Sequence, residues 1–272
     1  MQKQETITGT KSTPLIIRNK HHNEPSVFTP ENLLREARRQ KSLQPKNVPE
    51  ICVLDPDGDI VRWFITGHRA EREPNWACYH TDLYTFTEID ICFGIIGGAV
   101  GASFAVLVAE ELFASGCRLL ISVTSAGQIV EKGIPPYFVL IEKALRDEGT
   151  SYHYLPAAEF SHISDLLLSV LDGTFKENLP HVYRGATWTT DAPFRETESA
   201  IEHCRDLGIM GVEMEAAALY AFAEARKKPV VCLAHITNKM AVVEGDFEKG
   251  IAAGSLDALR IIYLIARAWM LK

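Results

Sequence analysis

The apolar and polar positions of this chain form short apolar runs that alternate with amphipathic segments. Thr29 and Pro30 predict an N-cap and first turn for a helix that continues to about Lys41. Runs rich in β-branched and aromatic residues predict strands at 51–54, 60–65, 76–80, 89–96, 119–123, 137–142, 181–188 and 230–236. Helices are predicted before residue 116 and at 163–171, 196–204 and 255–270. Uniformly apolar strands alternating with helices indicate the α/β class, with three α/β/α layers around a central, mostly parallel (mixed) sheet.

Two carboxylates stand out inside the most apolar segment. From Ile209 to Ala223 every residue is apolar, small or aromatic except Glu213 and Glu215, which predicts a buried helix that Pro229 ends. Burying an unpaired carboxylate is costly, so each must cap backbone amides, meet an arginine or bind a ligand. Their spacing of two points them to different sides, which argues against an acid/base pair.

Small polar residues follow three of the predicted strands, at 97–103, 124–127 and 235–238. Ligands of open α/β sheets bind at the carboxyl ends of strands, so these segments predict one shared pocket. The glycine-rich stretch 94–101 is neither a dinucleotide fingerprint nor a P-loop. Residues 124–128 are expected to form a loop.

Composition narrows the possible functions. The 272 residues carry a net charge of −7, which argues against a nucleic-acid groove, and no apolar run is long enough to span a membrane. Six scattered cysteines without CxxC spacing favour a reducing cytoplasm, and neither cysteines nor histidines show metal-ligand spacing. We expect a flexible arm at 1–28 and one domain at 29–272.

Several motifs between Ile51 and the C-terminus resemble the nucleoside phosphorylase family of the uridine phosphorylase and hexameric purine nucleoside phosphorylase type. The strongest is GVEMEAA at 211–217. The stretch 121–127 resembles the family's phosphate and sugar loop, 189–196 its base-proximal loop and 234–238 a strand that carries a base-side Asp or Asn. The order of these pieces also matches the family.

The resemblance implies cleavage of a nucleoside N-glycosidic bond, with inorganic phosphate attacking C1′ of the ribose and no metal or organic cofactor. It also implies a homo-oligomer, a dimer or trimer of dimers, in which a neighbour completes each pocket. By position, Glu215 would grip the ribose 2′ and 3′ hydroxyls. Asn238 would act at the base; its amide favours a pyrimidine, because it cannot donate a titrating proton, although the base stays open. The other implied substrate-binding residues are Met214, Glu213, Thr124, Ser125, Gly127, Phe194, Arg195 and Gly97.

Two departures from the family pattern concern the phosphate site. The family's phosphate-binding Arg is Ser122 here, and the turn after the first strand, residues 55–59, carries three aspartates that would repel phosphate. Hydrolytic relatives also lack that Arg and use an acidic general base, for which Asp57 or Asp59 is a candidate. Phosphorolysis is therefore the first expectation, with hydrolysis by water and non-catalytic nucleoside binding as alternatives.

Overall fold

Ten strands of the chain form a single sheet in a computed structural model that describes residues 14–175, 180–240 and 244–272. The strands are β1 (Ile51–Asp55), β2 (Glu71–Arg72), β3 (Tyr84–Glu88), β4 (Ile91–Gly97), β5 (Leu119–Gln128), β6 (Tyr137–Asp147), β7 (Phe160–His162), β8 (Val182–Thr190), β9 (Gly211–Glu213) and β10 (Val230–Asn238). The helices are α1 (Pro30–Lys41), α2 (Asp59–Thr66), α3 (Ala102–Ala114), α4 (Asp165–Val170), α5 (Glu198–Asp206), α6 (Ala216–Arg226) and α7 (Ser255–Met270).

The sheet is mixed, with both parallel and antiparallel pairings. Strand β1 pairs in parallel with β4 and β5, and β10 pairs in parallel with β5. Strand β6 pairs antiparallel with β10 and parallel with β8, and β9 joins β8 back to β5. The pairings β5–β10–β6–β8–β9–β5 therefore close part of the sheet into a ring, and the carboxyl ends of β4, β1, β5 and β10 meet at one edge.

Helices pack in two groups on this sheet. Helix α3 contacts α1 and α6, whereas α7 contacts α2 and α4. The prediction of a three-layer α/β fold with a mixed central sheet is confirmed. Because four parallel strands end at the same edge, the two predicted strand ends at 124–127 and 235–238 become neighbours.

The segment predicted as a strand at 60–65 is instead helix α2. Its buried residues Ile60, Val61 and Phe64 lie on one face of a helix, whereas a half-buried strand would bury alternate residues. Gly58, at φ +74°, turns the chain immediately after β1. The Asp55 carboxylate then accepts the Val61 backbone N–H at 2.9 Å and so stabilises the first turn.

Two other local predictions were wrong. Residues 76–80 form no strand: Trp76 is buried in a turn, where its indole N–H donates to the Thr81 hydroxyl at 3.0 Å. Residues 124–128 form no loop but extend β5, because β9 and β10 both pair with this part of the chain. Pairing partners that lie about a hundred residues further on cannot be read from a local pattern.

The predicted arm at 1–28 lies partly outside the described residues, which begin at 14. Within 14–28, the Lys20 ammonium is 3.0 Å from Nδ1 of His153, and Nε2 of His22 is 3.2 Å from the Tyr152 carbonyl oxygen. The division into an arm and one domain stays a prediction. Among the described helices, none has the length and apolar character needed to cross a membrane.

Candidate active site

Glu213 uses both carboxylate oxygens within the protein. One oxygen accepts the hydroxyls of Thr187 and Thr189, at 3.1 and 2.5 Å. The other accepts the backbone N–H groups of Glu215 and Ala216, at 2.8 and 2.7 Å. These bonds turn the chain between β9 and α6 and satisfy orphan donors at the start of the helix. The predicted substrate contact of Glu213 stays a prediction, and its observed contacts are structural.

The helix therefore begins later than the apolar pattern indicated. Glu213 ends β9, and Glu215 stands immediately before α6, so neither carboxylate lies inside the helix. The reason is tertiary: β9 pairs with both β5 and β8, which holds residues 211–213 extended.

Glu215 is 1% exposed and keeps one oxygen without a partner. Its Oε1 accepts the Gly101 backbone N–H at 2.7 Å, and its Oε2 accepts no hydrogen bond from the described residues. Burial, followed by the charge of Glu213, raises the pKa of Glu215 to about 8, although the Gly101 N–H and the Thr124 hydroxyl act in the opposite direction. An unsatisfied buried oxygen costs about 1–3 kcal/mol. Glu215 is therefore suited to receive a ligand hydroxyl.

Asp57 lies beside the loop predicted to hold the nucleophile. Its Oδ2 accepts the Ser125 backbone N–H at 2.7 Å, which joins the turn after β1 to the edge of β5. Ser122, at the family's arginine position, is 1% exposed and its hydroxyl has no partner among the described residues. A hydroxyl at this position offers no positive charge to a phosphate, unlike the arginine of the family pattern.

A lysine that sequence reasoning missed lies at this turn. Lys249 forms an ion pair with Asp59, and its Nζ is 3.8 Å from Oδ1 of Asp57. Arg62 also pairs with Asp59, at 2.5 Å. Burial, followed by the charge of Lys249, lowers the pKa of neighbouring His235 to about 4, so this imidazole is neutral. No sequence motif marks Lys249; only its place in the loop before α7 brings it here.

Asn238 lies where β10 reaches Gly127 of β5. Its Oδ1 accepts the Met240 backbone N–H at 2.8 Å, and its Nδ2 donates to the Thr237 hydroxyl at 3.1 Å. A Cβ built on Gly127 would lie 2.8 Å from the Met240 sulfur and 3.4 Å from Asn238 Oδ1, so a side chain here would require the flexible Met240 side chain to shift. Asn238 keeps one N–H that these bonds leave available for a ligand.

The remaining predicted residues lie in different surroundings. Phe194 is 100% exposed and Arg195 is exposed, so neither packs on the core of this chain. Met214, which stands between Glu213 and Glu215 in the sequence, is half-buried. A Cβ built on Gly97 would lie 3.0 Å from Val61, which gives this glycine a packing role against α2. Their substrate contacts stay predictions.

In the described ranges, no group of three His, Cys, Asp or Glu side chains is arranged to hold a metal ion. That observation concerns geometry alone, and the expectation that the chain needs no metal or organic cofactor stays a prediction.

Comparison with known proteins identifies the family. The model of the phosphorylase superfamily matches residues 60–263, most of the chain, and the protein therefore belongs to the phosphorylase superfamily. Among curated relatives, a guanosine phosphorylase of Halorubrum lacusprofundi is 26% identical over 141 residues, 52% of this chain and 56% of the relative. A DeoD-type purine nucleoside phosphorylase of Bacillus cereus is 31% identical over 128 residues, 44% of this chain and 52% of the relative. The chain thus spans about half the length of these relatives.

Solved structures share the fold over most of this chain. Uridine phosphorylase of Vibrio fischeri ES114 superposes with a TM-score of 0.68 at 20% identity, covering 92% of this chain and 99% of that one. The 5′-methylthioadenosine/S-adenosyl homocysteine nucleosidase of Campylobacter jejuni superposes with a TM-score of 0.64 at 16% identity, covering 79% and 97%. At these identities the likeness establishes the fold. The predicted resemblance to nucleoside phosphorylases is confirmed.

Proposed function

We propose that the chain cleaves the N-glycosidic bond of a nucleoside. The observation that carries the proposal is Glu215, a buried carboxyl whose Oε2 has no partner among the described residues and which lies beside Thr124 and Gly101. In its ionised form, which the positive charge developing at C1′ favours, this group would accept the ribose 2′ and 3′ hydroxyls, orient the sugar and stabilise that charge.

Water is the acceptor that the contacts of Asp57 favour. The Ser125 N–H, which would otherwise hold a phosphate oxygen, already donates to Asp57. In the proposed reaction the water oxygen attacks C1′ and Asp57 takes the proton. The C1′–N bond breaks, and its electron pair leaves with the base, to which the remaining Asn238 N–H donates a hydrogen bond.

Phosphorolysis, the first expectation from the sequence, is the second candidate. Two cations near the turn after β1 favour phosphorolysis. Lys249 lies beside Asp57, and Arg62 lies beside Gly58, where a Cβ would be 2.8 Å from Arg62 Nη1. The phosphorylase names of the curated relatives favour it as well. Both cations, however, already pair with Asp59. Under either reaction we retain the predicted homo-oligomer and cytoplasmic location as proposals.

Incubating the purified chain with purine and pyrimidine nucleosides and 5′-methylthioadenosine, with and without phosphate, tests the function. Free sugar formed without phosphate (ribose, or 5-methylthioribose from 5′-methylthioadenosine) supports hydrolysis, and the phosphate-dependent sugar 1-phosphate supports phosphorolysis. Base release by neither route, together with nucleoside binding, would make the chain a non-catalytic binder.

The sugar contact is tested by Glu215→Gln. Loss of an electrostatic contact of this kind lowers kcat by about 10²–10³-fold. Glu111→Gln is the matched control, because Glu111 is another buried carboxyl, on α3, with a raised pKa caused by burial. Full activity of Glu215→Gln, with circular dichroism showing an intact fold, would contradict the assignment.

A further inference from the structure

A cluster of charged and ring side chains joins the loop before α7 to the turn after β1. Lys249 is one cation of this cluster, beside Arg62, and its side chain is only 19% exposed. It pairs with Asp59, and its Nζ lies 3.8 Å from Asp57. The lysine therefore bridges two carboxylates that precede it by about 190 positions.

Residues 248–254, which include Lys249, contact β10 at two places. The backbone N–H of Glu248 donates to the Thr237 carbonyl at 2.8 Å. The His235 ring stacks on Phe138, with centroids 4.4 Å apart and planes 4° from parallel. Gly254, at φ +77°, lies so close to His235 that a Cβ there would be 3.0 Å from Nδ1. These contacts bring Lys249 to a defined place at the edge of the sheet.

The same edge contains Ser125. His235 is the register partner of Ser125 between β10 and β5, and the Ser125 N–H donates to Asp57 at 2.7 Å. Among contacts within 4 Å in the described parts of the chain, Lys249 is the one cation that pairs with Asp57. Asp59, in contrast, has both Lys249 and Arg62.

We propose that Lys249 is a positioning residue that holds the Asp57 carboxylate against the Ser125 backbone N–H. This inference rests on the proposed function, in which Asp57 acts on the nucleophile. Three carboxylates within the turn 55–59 repel one another, and in partly buried surroundings that repulsion is weakly screened. Lys249 offsets the repulsion between Asp57 and Asp59, so its removal should release Asp57 from Ser125.

The effect of the turn's charges is visible at Asp55. Burial first, and then the charges of Asp57 and Asp59, raise the pKa of Asp55 to about 7. At Asp59 burial acts to raise the pKa, but the hydrogen bonds and charges of Lys249 and Arg62 outweigh burial, so the pKa of Asp59 is lowered. The ionisation of the carboxyls in this turn therefore depends on the charges beside them, including the cation of Lys249.

The test compares Lys249→Met and Lys249→Arg with Lys239→Met. Lys239 is the matched control, since it belongs to the same connection and forms a more exposed ion pair with Glu131 at 3.4 Å. We expect Lys249→Met to lower kcat by at least about tenfold with KM little changed, and Lys249→Arg to restore most of it. Lys239→Met should match the unmodified protein.

Backbone amide exchange gives a readout that needs no turnover. In Lys249→Met the Ser125 amide should exchange at least about tenfold faster, because its acceptor is released, whereas Lys239→Met should leave it unchanged. In an Asp57→Asn background, Lys249→Met should lower kcat no further. Unchanged Ser125 exchange and unchanged kcat in Lys249→Met would overturn the inference. An unmodified protein that cleaves no nucleoside would contradict the proposed function instead, while the exchange result still decides the role of Lys249.

If Lys249→Met fails to fold, Lys249→Gln supplies a shorter side chain that keeps a hydrogen-bond donor without the charge. The same two readouts then apply to that variant. Faster Ser125 exchange in Lys249→Gln supports the role of the charge, and unchanged exchange together with unchanged kcat contradicts it.

Discussion

The carboxylate of Asp57 accepts the backbone N–H of Ser125 at 2.7 Å and thereby connects the turn after β1 to the edge of β5. The sequence marked both residues separately, one as a candidate base and the other as part of a loop that holds the nucleophile. Their contact changes the role expected of each residue. A donor that binds a carboxylate of the protein is not available to a phosphate, so the pair favours water as the acceptor.

Asp57→Asn separates the two candidate acceptors. The amide oxygen can still accept the Ser125 N–H, but the side chain no longer takes a proton from water. We expect hydrolysis in phosphate-free buffer to fall by about 10²–10⁴-fold, the usual contribution of a general base. If phosphate is the acceptor, the variant should keep or increase phosphorolysis, because a repelling charge is removed. Release of base and of sugar, measured with and without phosphate, distinguishes these results.

Asn238→Asp should change the preference for the base. An aspartate keeps an oxygen for the Met240 N–H and adds a group that can carry a proton to a purine ring. We expect the ratio of kcat/KM for inosine over uridine to rise by about tenfold, a change of about 1.4 kcal/mol in relative transition-state stabilisation. Asn238→Ala is the control: it removes the amide without supplying a proton and should lower both activities. An unchanged ratio in Asn238→Asp would place Asn238 away from the base.

The buried carboxyl of Glu215 should make stability depend on pH. Its folded pKa of about 8 exceeds the ordinary 4.5, so the folded chain holds a proton that the unfolded chain releases, and stability falls as pH rises from 4.5 to 8. His235 acts oppositely but only below its ordinary pKa of 6.5, since its folded pKa is about 4. Asp55, with a folded pKa of about 7, acts in the same direction as Glu215.

Between pH 6.5 and 8 the carboxyl effect should therefore be isolated from that of His235. We expect the free energy of unfolding to fall over this window and Glu215→Gln to reduce the fall by about 1–2 kcal/mol, given about 1.4 kcal/mol per pKa unit. Denaturant titrations at several pH values measure it. Glu50→Gln, which alters an exposed carboxyl, should leave the slope of the unfolding free energy against pH unchanged. Equal slopes for Glu215→Gln and the unmodified chain would mean that Glu215 ionises normally.

Gly254→Ala should destabilise the loop before α7 more than its backbone angle alone requires. Gly208→Ala is the matched control. Gly208 has φ +73°, so an alanine there has the same cost of a left-handed backbone, about 1–2 kcal/mol, but its Cβ meets nothing within 4 Å. A Cβ on Gly254 would crowd His235 and lie 2.8 Å from the Lys249 carbonyl oxygen, which should add about 1–3 kcal/mol. Thermal or denaturant unfolding of the two variants measures the difference. Equal losses of stability in the two variants would show that the loop before α7 rearranges to accommodate the added methyl group.

Much of the fold was predictable because it follows from local patterns. Thr29 accepts the Asn32 N–H as the predicted cap of α1, and the apolar run 230–236 is a fully buried strand. Prediction was wrong at 60–65, where a short apolar run is compatible with either a strand or a helix and the Asp55 carboxylate supports the helix. The site was half predictable: Glu215 was singled out by its burial among apolar residues, but Lys249 belongs to no motif.

By itself the sequence determined the α/β class, the buried carboxylates and the small polar residues at the ends of strands, because each depends on neighbours only a few positions away. Only the tertiary structure decided which carboxylate is available. Thr187 and Thr189 reach Glu213 from β8 and satisfy one of its oxygens, whereas Glu215 keeps an oxygen without a partner in the described chain. It also brought Lys249 to Asp57, since contacts between residues about 190 positions apart depend on the order of strands in the sheet, which local periodicity does not encode.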